Sequence, residues 1–307
     1  MSGPTTLSFN MRAQTDIRRI TRELIDLQGQ VASGARAHDL QGFGGASSRI
    51  LNARGLMAAA EARSSVINQL QARFGVQGAA LGRVAESSGL LSQAIRDAIS
   101  AGDGRGIGIE LELSFSSAVS ALNQTWNGQP MFAGERHGAG PVKITTLAEL
   151  QAATVPGDIF DEAARHQVVD IGNGPPVVVA AKASEMAQGL FDTMADLKDM
   201  LDLHGGAIGQ PISESDRAAL LAIAERLDVE ANKFTNEEAR AGQLEARFTD
   251  ERVMLQQRSD LLVKEIGDQV DADLAQVSVR LSALLVQYEA AAKTFTDLSK
   301  LSLLKYL

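Results

Sequence analysis

Four histidines are the residues that could most readily bind a metal ion, and only one has carboxylates at a useful spacing. His166 has Glu162 four residues before it and Asp170 four residues after it. Residues four apart share one face of an α-helix, so a helical stretch here would place Glu162 beside His166, as in a helical metal pair. On a polar helix such a pair is far more often a solvated contact than a metal site. We therefore predict no metal site and no cofactor.

Other kinds of catalytic chemistry lack their residues in this chain. There is no cysteine among the 307 residues, which excludes disulfides, thiolate metal sites and cysteine nucleophiles. No nucleophile elbow, P-loop or dinucleotide fingerprint is present. The glycine-rich run at 102–108 does not have phosphate-binding spacing and does not follow a strand, so we interpret it as a turn between helices. We predict that the protein is not an enzyme.

The composition favours long helices. The chain is 45% hydrophobic but only 4% aromatic, which is typical of helices packed through Leu, Ile, Val and Ala and argues against a large sheet sandwich. No apolar run is long enough to cross a bilayer, and the N-terminus does not have the pattern of a cleaved secretory signal. The net charge of −9 and the scattered arginines argue against a nucleic-acid partner. We predict a soluble helical protein without membrane insertion.

Two apolar seams with alternating spacings of three and four lie at opposite ends of the chain. This spacing places all residues of a seam on one side of a helix and is typical of coiled coils. The first seam contains Ala13, Ile17, Ile20, Leu24, Leu27 and Val31, and the second contains Leu274, Val277, Leu281, Leu284, Tyr288, Ala291, Phe295 and Leu298. We predict that the two terminal helices pair. An exposed seam could also serve contacts between subunits, and the heptads alone do not name the partner.

The helices between these seams can be outlined from the same apolar pattern. After an irregular lead at 5–10, the first helix is expected over 10–31, ending at Ser33-Gly34 before a glycine-rich loop. A long helix over 47–100, with Phe74 among its apolar residues, needs a partner. The C-terminal stretch can supply one through Leu244, Phe248, Leu255, Leu262, Ile266 and Val270. A third helix is expected over 109–126.

The amino-acid composition changes after residue 134, where four of the seven prolines occur within 50 residues. Short β-prone runs at 142–144, 168–171 and 177–179 predict a small inserted α+β domain. The predicted fold is mainly α: an elongated helical bundle or coiled-coil rod formed by the N- and C-terminal segments, with this domain inserted. The predicted divisions are an N-terminal assembly helix and loop (1–45), the first half of the rod (46–133) and the inserted outer domain (134–183). They continue with the second half of the rod (184–270) and a C-terminal assembly helix (271–307).

Four short motifs make the chain resemble the flagellin family, which includes the hook-associated proteins of the bacterial flagellum. The ending at 301–307 is similar to the Leu-Ser-Leu-x-x-Tyr-Leu ending of the junction proteins between hook and filament, and residues 127–134 resemble their Asn-Gly-x-x-x-Phe-Ala-Gly segment. Residues 271–275 fit the Asp-x-Asp-x-Ala motif of the whole family, and 238–242, expected just before the C-terminal helix, resemble its Arg-x-x-x-Gly-Ala element in compressed form. The region after Arg36 departs from the family, with a glycine-rich run instead of Asn, Ser and paired Asp.

The resemblance implies a structural protein of the flagellum that joins hook to filament; a divergent flagellin is the alternative, and a coiled-coil signalling protein is less favoured. It implies export without a cleaved signal, an extracellular location, and a cytoplasmic chaperone that holds the C-terminal helix before export. The implied partners are copies of the chain in a ring-like layer, a hook-associated protein on the hook side and flagellin on the filament side. The residues expected at the assembly interface are Ile17, Ile20, Leu24, Leu27, Val31, Leu274, Val277, Leu281, Leu284, Tyr288, Phe295, Leu298, Leu303, Leu304, Tyr306 and Leu307.

Overall fold

Long α-helices dominate the computed structural model, which confirms the predicted mainly α fold. The structure describes residues 3–171 and 176–303, with side chains described for 11–171 and 176–297. The helices are α1 (Gly3–Ser33), α2 (Ser47–Ala101), α3 (Ile107–Leu122), α4 (Leu147–Ala152), α5 (Pro156–Ile159), α6 (Ala183–Leu203), α7 (Glu214–Val270) and α8 (Leu274–Leu303), with one 3₁₀ turn at Gly44–Ala46. None of the helices in the described part of the chain combines the length and the hydrophobicity that a membrane span requires.

Four short strands form two antiparallel pairs. Strands β1 (Thr125–Trp126) and β2 (Gln129–Pro130) make one hairpin, and β3 (Gln167–Val169) pairs with β4 (Val177–Ala180) with an irregular register between Gln167 and Val168. The chain divides into two compact units, which we call the terminal unit (Met1–Glu61 and Gln256–Leu307) and the central unit (Ala62–Leu255). The division falls within α2 and α7.

The first helix begins earlier than its apolar pattern indicates. The expected irregular lead at 5–10 is wrong, because α1 already begins at Gly3. Proline is tolerated in the first turn of a helix, whose N–H groups have no intrahelical partner, so Pro4 does not prevent this start. At its other end, α1 stops at Ser33, and Gly34 has a φ of +70°, as expected for a glycine terminator.

The long helices α2 and α7 provide much of the core of the central unit. The rings of Phe74 on α2 and Phe248 on α7 lie 5.7 Å apart between centroids, and both side chains are buried. Further along, the hydroxyl of Ser92 donates a hydrogen bond of 3.0 Å to the carbonyl oxygen of Ala224. The Arg96 guanidinium donates hydrogen bonds to the Asp228 carboxylate and holds the pKa of that carboxyl below its ordinary value. The contact between Phe74 and Phe248 confirms the predicted pairing of the long helix with the stretch that begins at Leu244, and the contacts at Ala224 and Asp228 extend it beyond that stretch.

The third helix ends before the predicted boundary at Trp126. Helix α3 stops at Leu122, and Trp126 instead belongs to β1. The cause is the turn that follows, because Asn127 and Gly128 have φ angles of +50° and +75°. Two consecutive residues with positive φ form the type of turn that joins two antiparallel strands, and Asn-Gly is its preferred sequence. The Asn-Gly pair therefore makes a hairpin rather than a helix terminus.

The segment predicted as an inserted α+β domain contains α4, α5, β3 and β4. Strands are present near two of the three predicted β-prone runs, but at 142–144 the expected strand is reduced to a single bridge between Val142 and Phe160. Phe160 packs against Phe191 of α6, with ring centroids 5.8 Å apart, and Phe191 also contacts Phe115 of α3 at 5.9 Å. The apolar side chains of this segment thus join the same core as the helices.

Helix α7 is continuous through the motif at 238–242. Residues 238–242 lie well inside α7, which runs for 57 residues. A glycine within a helix costs about 1 kcal/mol relative to alanine, and the many favourable residues on either side of Gly242 outweigh that cost. The motif therefore lies within α7 and precedes the C-terminal helix α8, as expected.

Candidate assembly interface

Helices α1 and α8 pack against each other in the terminal unit, as the two seams predict. Their contact forms a separate apolar cluster, and residues partly buried beside it include Leu281 and Ala291. The fully buried members are Ile20, Leu24, Leu27, Val277 and Leu284. Each side chain of this size contributes roughly 1.5–3 kcal/mol when it is removed from water, so the seam stabilises the helix pair. Part of the predicted assembly surface thus lies inside one chain.

Backbone hydrogen bonds join the end of α1 to the start of α8. The Arg36 N–H donates to the carbonyl oxygen of Val270, and the Ala272 N–H donates to the carbonyl oxygen of Gly34, both at 2.8 Å. Between these two bonds, Ala35 and Asp271 form an antiparallel bridge. The Arg36 side chain adds a third bond from Nε to the Asp271 carbonyl oxygen, at 2.7 Å. These bonds fix the positions of the two helix ends relative to each other.

The Asp-x-Asp-x-Ala motif at 271–275 has a clear structural role. The Asp273 carboxylate oxygen Oδ1 accepts hydrogen bonds from the N–H groups of Ala275 and Gln276, both at 3.1 Å. These bonds satisfy donors that otherwise have no partner in the first turn of α8, and a carboxylate there also matches the helix dipole. The first aspartate of the motif makes the bridge to the end of α1, and the second caps α8.

The predicted interface residues differ in how far they remain accessible. Ile17, Leu281 and Phe295 are half-buried, whereas Val31, Leu274 and Tyr288 are exposed. The side chains of Leu298 and Leu303, and the residues Leu304, Tyr306 and Leu307, lie outside the described part of the structure. Among the side chains described, the seam is therefore accessible at the end of α1, at the start of α8 and again at Tyr288, with buried members between them.

Among the side chains described, five exposed apolar residues of the terminal helices were not singled out by the sequence pattern: Met11, Ile25, Val279, Leu285 and Val286. Ile25 on α1 is 62% exposed, and Val279 and Val286 on α8 are 72% and 66% exposed. The two valines are seven residues apart and so share one face of α8, outside the seam. A repeat of only two residues is too short to identify this outer face from the sequence alone. We call Val279 and Val286 the outer face of α8.

Exposed apolar side chains are concentrated in the terminal unit. This unit holds little more than a third of the chain, yet it carries half of the large exposed hydrophobic residues among the side chains described. The others in this unit include Leu51 on α2 and Leu261 and Val263 on α7. Scattered apolar residues are ordinary on a protein surface, but such a concentration is typical of a surface that contacts other proteins.

A polar groove of about 560 Å³ runs between α1 and α8 beside this apolar surface. Its walls carry Glu23, Asp26 and Asp273 together with Arg36 and Arg280. Mixed charges of this kind contribute more to the orientation of a partner than to its affinity. The groove therefore suits ionic contacts that set the register of a neighbouring chain.

The possible helical metal pair at His166 does not form, because residues 161–166 are not helical. His166 instead places Nε2 3.3 Å from the Glu185 carboxylate. Glu162 accepts a hydrogen bond of 3.1 Å from the Ser184 N–H and lies 3.7 Å from the Lys182 ammonium group. Across the part of the chain that the structure describes, no three His, Asp or Glu residues are grouped so as to hold a metal ion.

Comparison with solved structures relates this fold to proteins of the flagellum. FlgL of Bacillus cereus matches with a TM-score of 0.51 and 14% identity, over 66% of this chain and 98% of that one. A proposed flagellar hook-associated protein from Vibrio parahaemolyticus matches with a TM-score of 0.58 and 17% identity, over 73% of this chain and 96% of that one. No protein-family model and no curated protein matches the sequence. At such low identity the likeness establishes a shared fold.

Proposed function

We propose that this chain is a structural subunit of the bacterial flagellum, and specifically a hook-associated protein at the junction between hook and filament. The observation that carries the proposal is the terminal unit, in which paired chain ends expose further apolar residues, within a fold shared with flagellar proteins. The motifs at 127–134 and 301–307 support the junction protein over flagellin within that family. We assign the chain no catalytic activity.

The terminal unit is the proposed assembly surface. The seam positions α1 and α8 relative to each other, and the accessible residues Val31, Leu274 and Tyr288, with the outer face of α8, then contact neighbouring chains. Repeated contacts between identical chains around a closed ring leave no unpaired interface at the sides. The proposed partners of such a layer are a hook-associated protein below it and flagellin above it. The polar groove supplies contacts that set the register.

The route to this position follows from the family resemblance. We propose that the chain is exported by the flagellar type III apparatus without a cleaved signal and functions outside the cell. A cytoplasmic chaperone would cover α8 before export, which would keep its outer face from contacting other copies prematurely. The exposure of Val279 and Val286 supports the need for such a cover.

A deletion strain tests the junction function directly. Cells that lack this chain should assemble hooks but release flagellin into the medium as monomer, and the full-length gene should restore filaments. Electron microscopy of purified protein supplies the second measurement. Limited self-association in a closed layer predicts that concentrated protein, even when seeded with filament fragments, grows no long filaments.

The same experiments separate the junction protein from flagellin. Long helical filaments made of this chain alone would overturn the junction assignment in favour of a filament subunit. Normal filaments in the deletion strain would contradict both a junction protein and a principal flagellin.

A further inference from the structure

A cleft of about 620 Å³ in the central unit lies outside the proposed assembly surface. Its walls come from α2, β4 with the residues beside it, the start of α6 and the middle of α7, together with His166. Its apolar residues are Phe74, Pro176, Val177, Val178, Ala181, Met186, Ala241 and Leu244. This volume lies within the range of roughly 300–1,000 Å³ that is usual for ligand-binding pockets.

A buried amide faces this cleft without a hydrogen-bond partner. Gln77 is only 7% exposed, and its Oε1 is buried and has no partner among the described residues. His166, which also lines the cleft, has a buried Nδ1 in the same condition. Both atoms are closed off from solvent, so a ligand in the cleft would reach them only after the side chains rotate, and that contact would relieve the cost of leaving a buried polar atom unpaired. The amide oxygen requires an N–H or O–H donor.

The charges that line the cleft leave one cation without a counterion. Glu185 is held by Lys182 at 3.1 Å and by His166 at 3.3 Å, and Glu237 lies 3.8 Å from Arg240. Arg247 lines the cleft two helical turns beyond Arg240 and has no ion pair within the described part of the chain. The cleft is therefore matched to a ligand that carries a carboxylate.

The strand β4 also contributes to the cleft. It pairs with β3 along one edge, and within the described residues no other strand pairs with it. Its residues Val177 and Val178 line the cleft. The free edge of a strand presents alternating N–H and C=O groups that an extended peptide can pair with.

We propose that this cleft binds an extended peptide segment in which an acidic side chain is flanked by apolar ones. A peptide of this kind fits all four features. Its acidic side chain pairs with Arg247, and one of its backbone N–H groups donates to the Gln77 amide oxygen. Its apolar side chains pack on Phe74 and Leu244, while its backbone pairs along β4. The inference is independent of the flagellar role, because it rests only on the central unit.

The probe is an acetylated and amidated tetrapeptide, Leu-Asp-Leu-Val, whose length matches the four residues of β4. Saturation-transfer NMR with the full-length protein, at a large excess of peptide, reports which peptide protons contact it. We expect transfer to the leucine methyl groups. Replacing Asp by Asn in the peptide should weaken binding about fivefold, the scale of one partly exposed ion pair.

Variants of the protein place the peptide in the cleft. Arg247→Gln should weaken binding of the Asp peptide about fivefold and leave binding of the Asn peptide unchanged, because the two changes remove the same contact. Gln77→Leu should weaken both peptides. Arg252→Gln, an exposed arginine of the same helix outside the cleft, is the matched control and should bind like the parent.

Three outcomes would overturn the proposal. They are an absence of transfer to the peptide, equal affinity of the parent for the Asp and Asn peptides, and an equal effect of Arg252→Gln and Arg247→Gln. Arg247 is exposed, so Arg247→Gln should fold like the parent, and a change in its peptide binding reports the lost contact.

Discussion

Gly134 lies against the carbonyl oxygen of Arg165 so closely that a Cβ atom on Gly134 would fall 2.3 Å from that oxygen. The same carbonyl accepts a hydrogen bond of 3.0 Å from the Glu135 N–H, and Gly134 has a φ of +62°. On its other side, the Gly134 N–H donates to the Ala181 carbonyl oxygen at 3.3 Å. The last residue of the motif at 127–134 therefore joins two other segments of the chain where only glycine fits.

We predict that Gly134→Ala destabilises the central unit by about 2–4 kcal/mol, because it combines a strained backbone with a clash against a carbonyl oxygen. Urea unfolding monitored by circular dichroism measures the change. Gly89→Ala is the control: Gly89 lies within α2, has no neighbour within 4 Å of the added Cβ and should stabilise the fold by up to about 1 kcal/mol. Equal stability of Gly134→Ala and the parent would contradict this account of the motif.

A second prediction concerns the contact between α2 and α7. Phe248→Ala should cost about 3–5 kcal/mol, since Phe248 is fully buried against Phe74. Met254→Ala on the same helix should cost less than about 1 kcal/mol, because Met254 is exposed. Thermal and urea unfolding of both variants provide the comparison. If the two variants unfold alike, the aromatic contact is not a principal support of the central unit.

The apolar pattern predicted this contact and included Phe74, Phe248 and Leu255 in it, but it did not show how burial varies along α7. Leu262 and Ile266 were expected to be buried against the long N-terminal helix, yet both are only half-buried, whereas Phe248 and Leu255 are buried. Periodicity identifies the face of a helix that is turned toward a partner, but it does not show how closely the partner approaches at each turn. The C-terminal ends of α1 and α2 were predictable for a different reason, because Ser33-Gly34 and Gly102 are strong local terminators.

Two further features depend on long-range contacts that local sequence does not show: the turn at Asn127-Gly128 and the outer face of α8. The Asn127-Gly128 pair has the right residues for either a helix end or a hairpin, and only the pairing of Thr125 with Pro130 decides between them. At the assembly surface, the seams were identified from strong heptads, whereas Val279 and Val286 form a repeat of only two residues. Such a short repeat is not distinguishable from chance before the seam face is known to be buried.

A third prediction separates the seam from the outer face of α8 with two neighbouring residues, and it depends on the proposed function. Leu284→Asp should weaken the pairing of α1 and α8, because Leu284 is only 7% exposed and a carboxylate there loses its hydration, at a cost of roughly several kcal/mol. Val286→Asp should change the free energy of unfolding by less than about 0.5 kcal/mol. Hydrogen exchange of the two helices measures the difference in the monomer.

In cells, both variants should release flagellin, but for different reasons. Val286→Asp should do so with normal hydrogen exchange in the purified chain, because it disturbs only contacts between chains. Val286→Ala keeps the surface uncharged and is the control, with filaments retained. Normal filaments in the Val286→Asp strain would exclude the outer face of α8 from assembly without affecting the role of the seam.

The last prediction concerns the pH dependence of the junction between α6 and α7. His204 follows the end of α6, and its Nδ1 lies 2.9 Å from the Met200 carbonyl oxygen while its Nε2 lies 3.3 Å from Asp216 Oδ2 in the first turn of α7. Neutral imidazole donates from only one nitrogen, whereas imidazolium donates from both. The Met200 carbonyl and then the Asp216 carboxylate therefore raise the pKa of His204 above its ordinary value of about 6.5.

The direction of this shift fixes the sign of the effect on stability. A group whose pKa is raised by folding stabilises the folded state fully below its unfolded pKa and loses that contribution as the pH rises through its folded pKa. The melting temperature of the parent should therefore exceed that of His204→Gln at about pH 5.5, and the difference should shrink by about pH 8.5. NMR titration of the imidazole provides the independent measurement. The explanation would be contradicted if the difference in melting temperature stayed constant or grew with pH. It would also be contradicted if His204 titrated below the pKa of free histidine, because the two acceptors must raise that pKa.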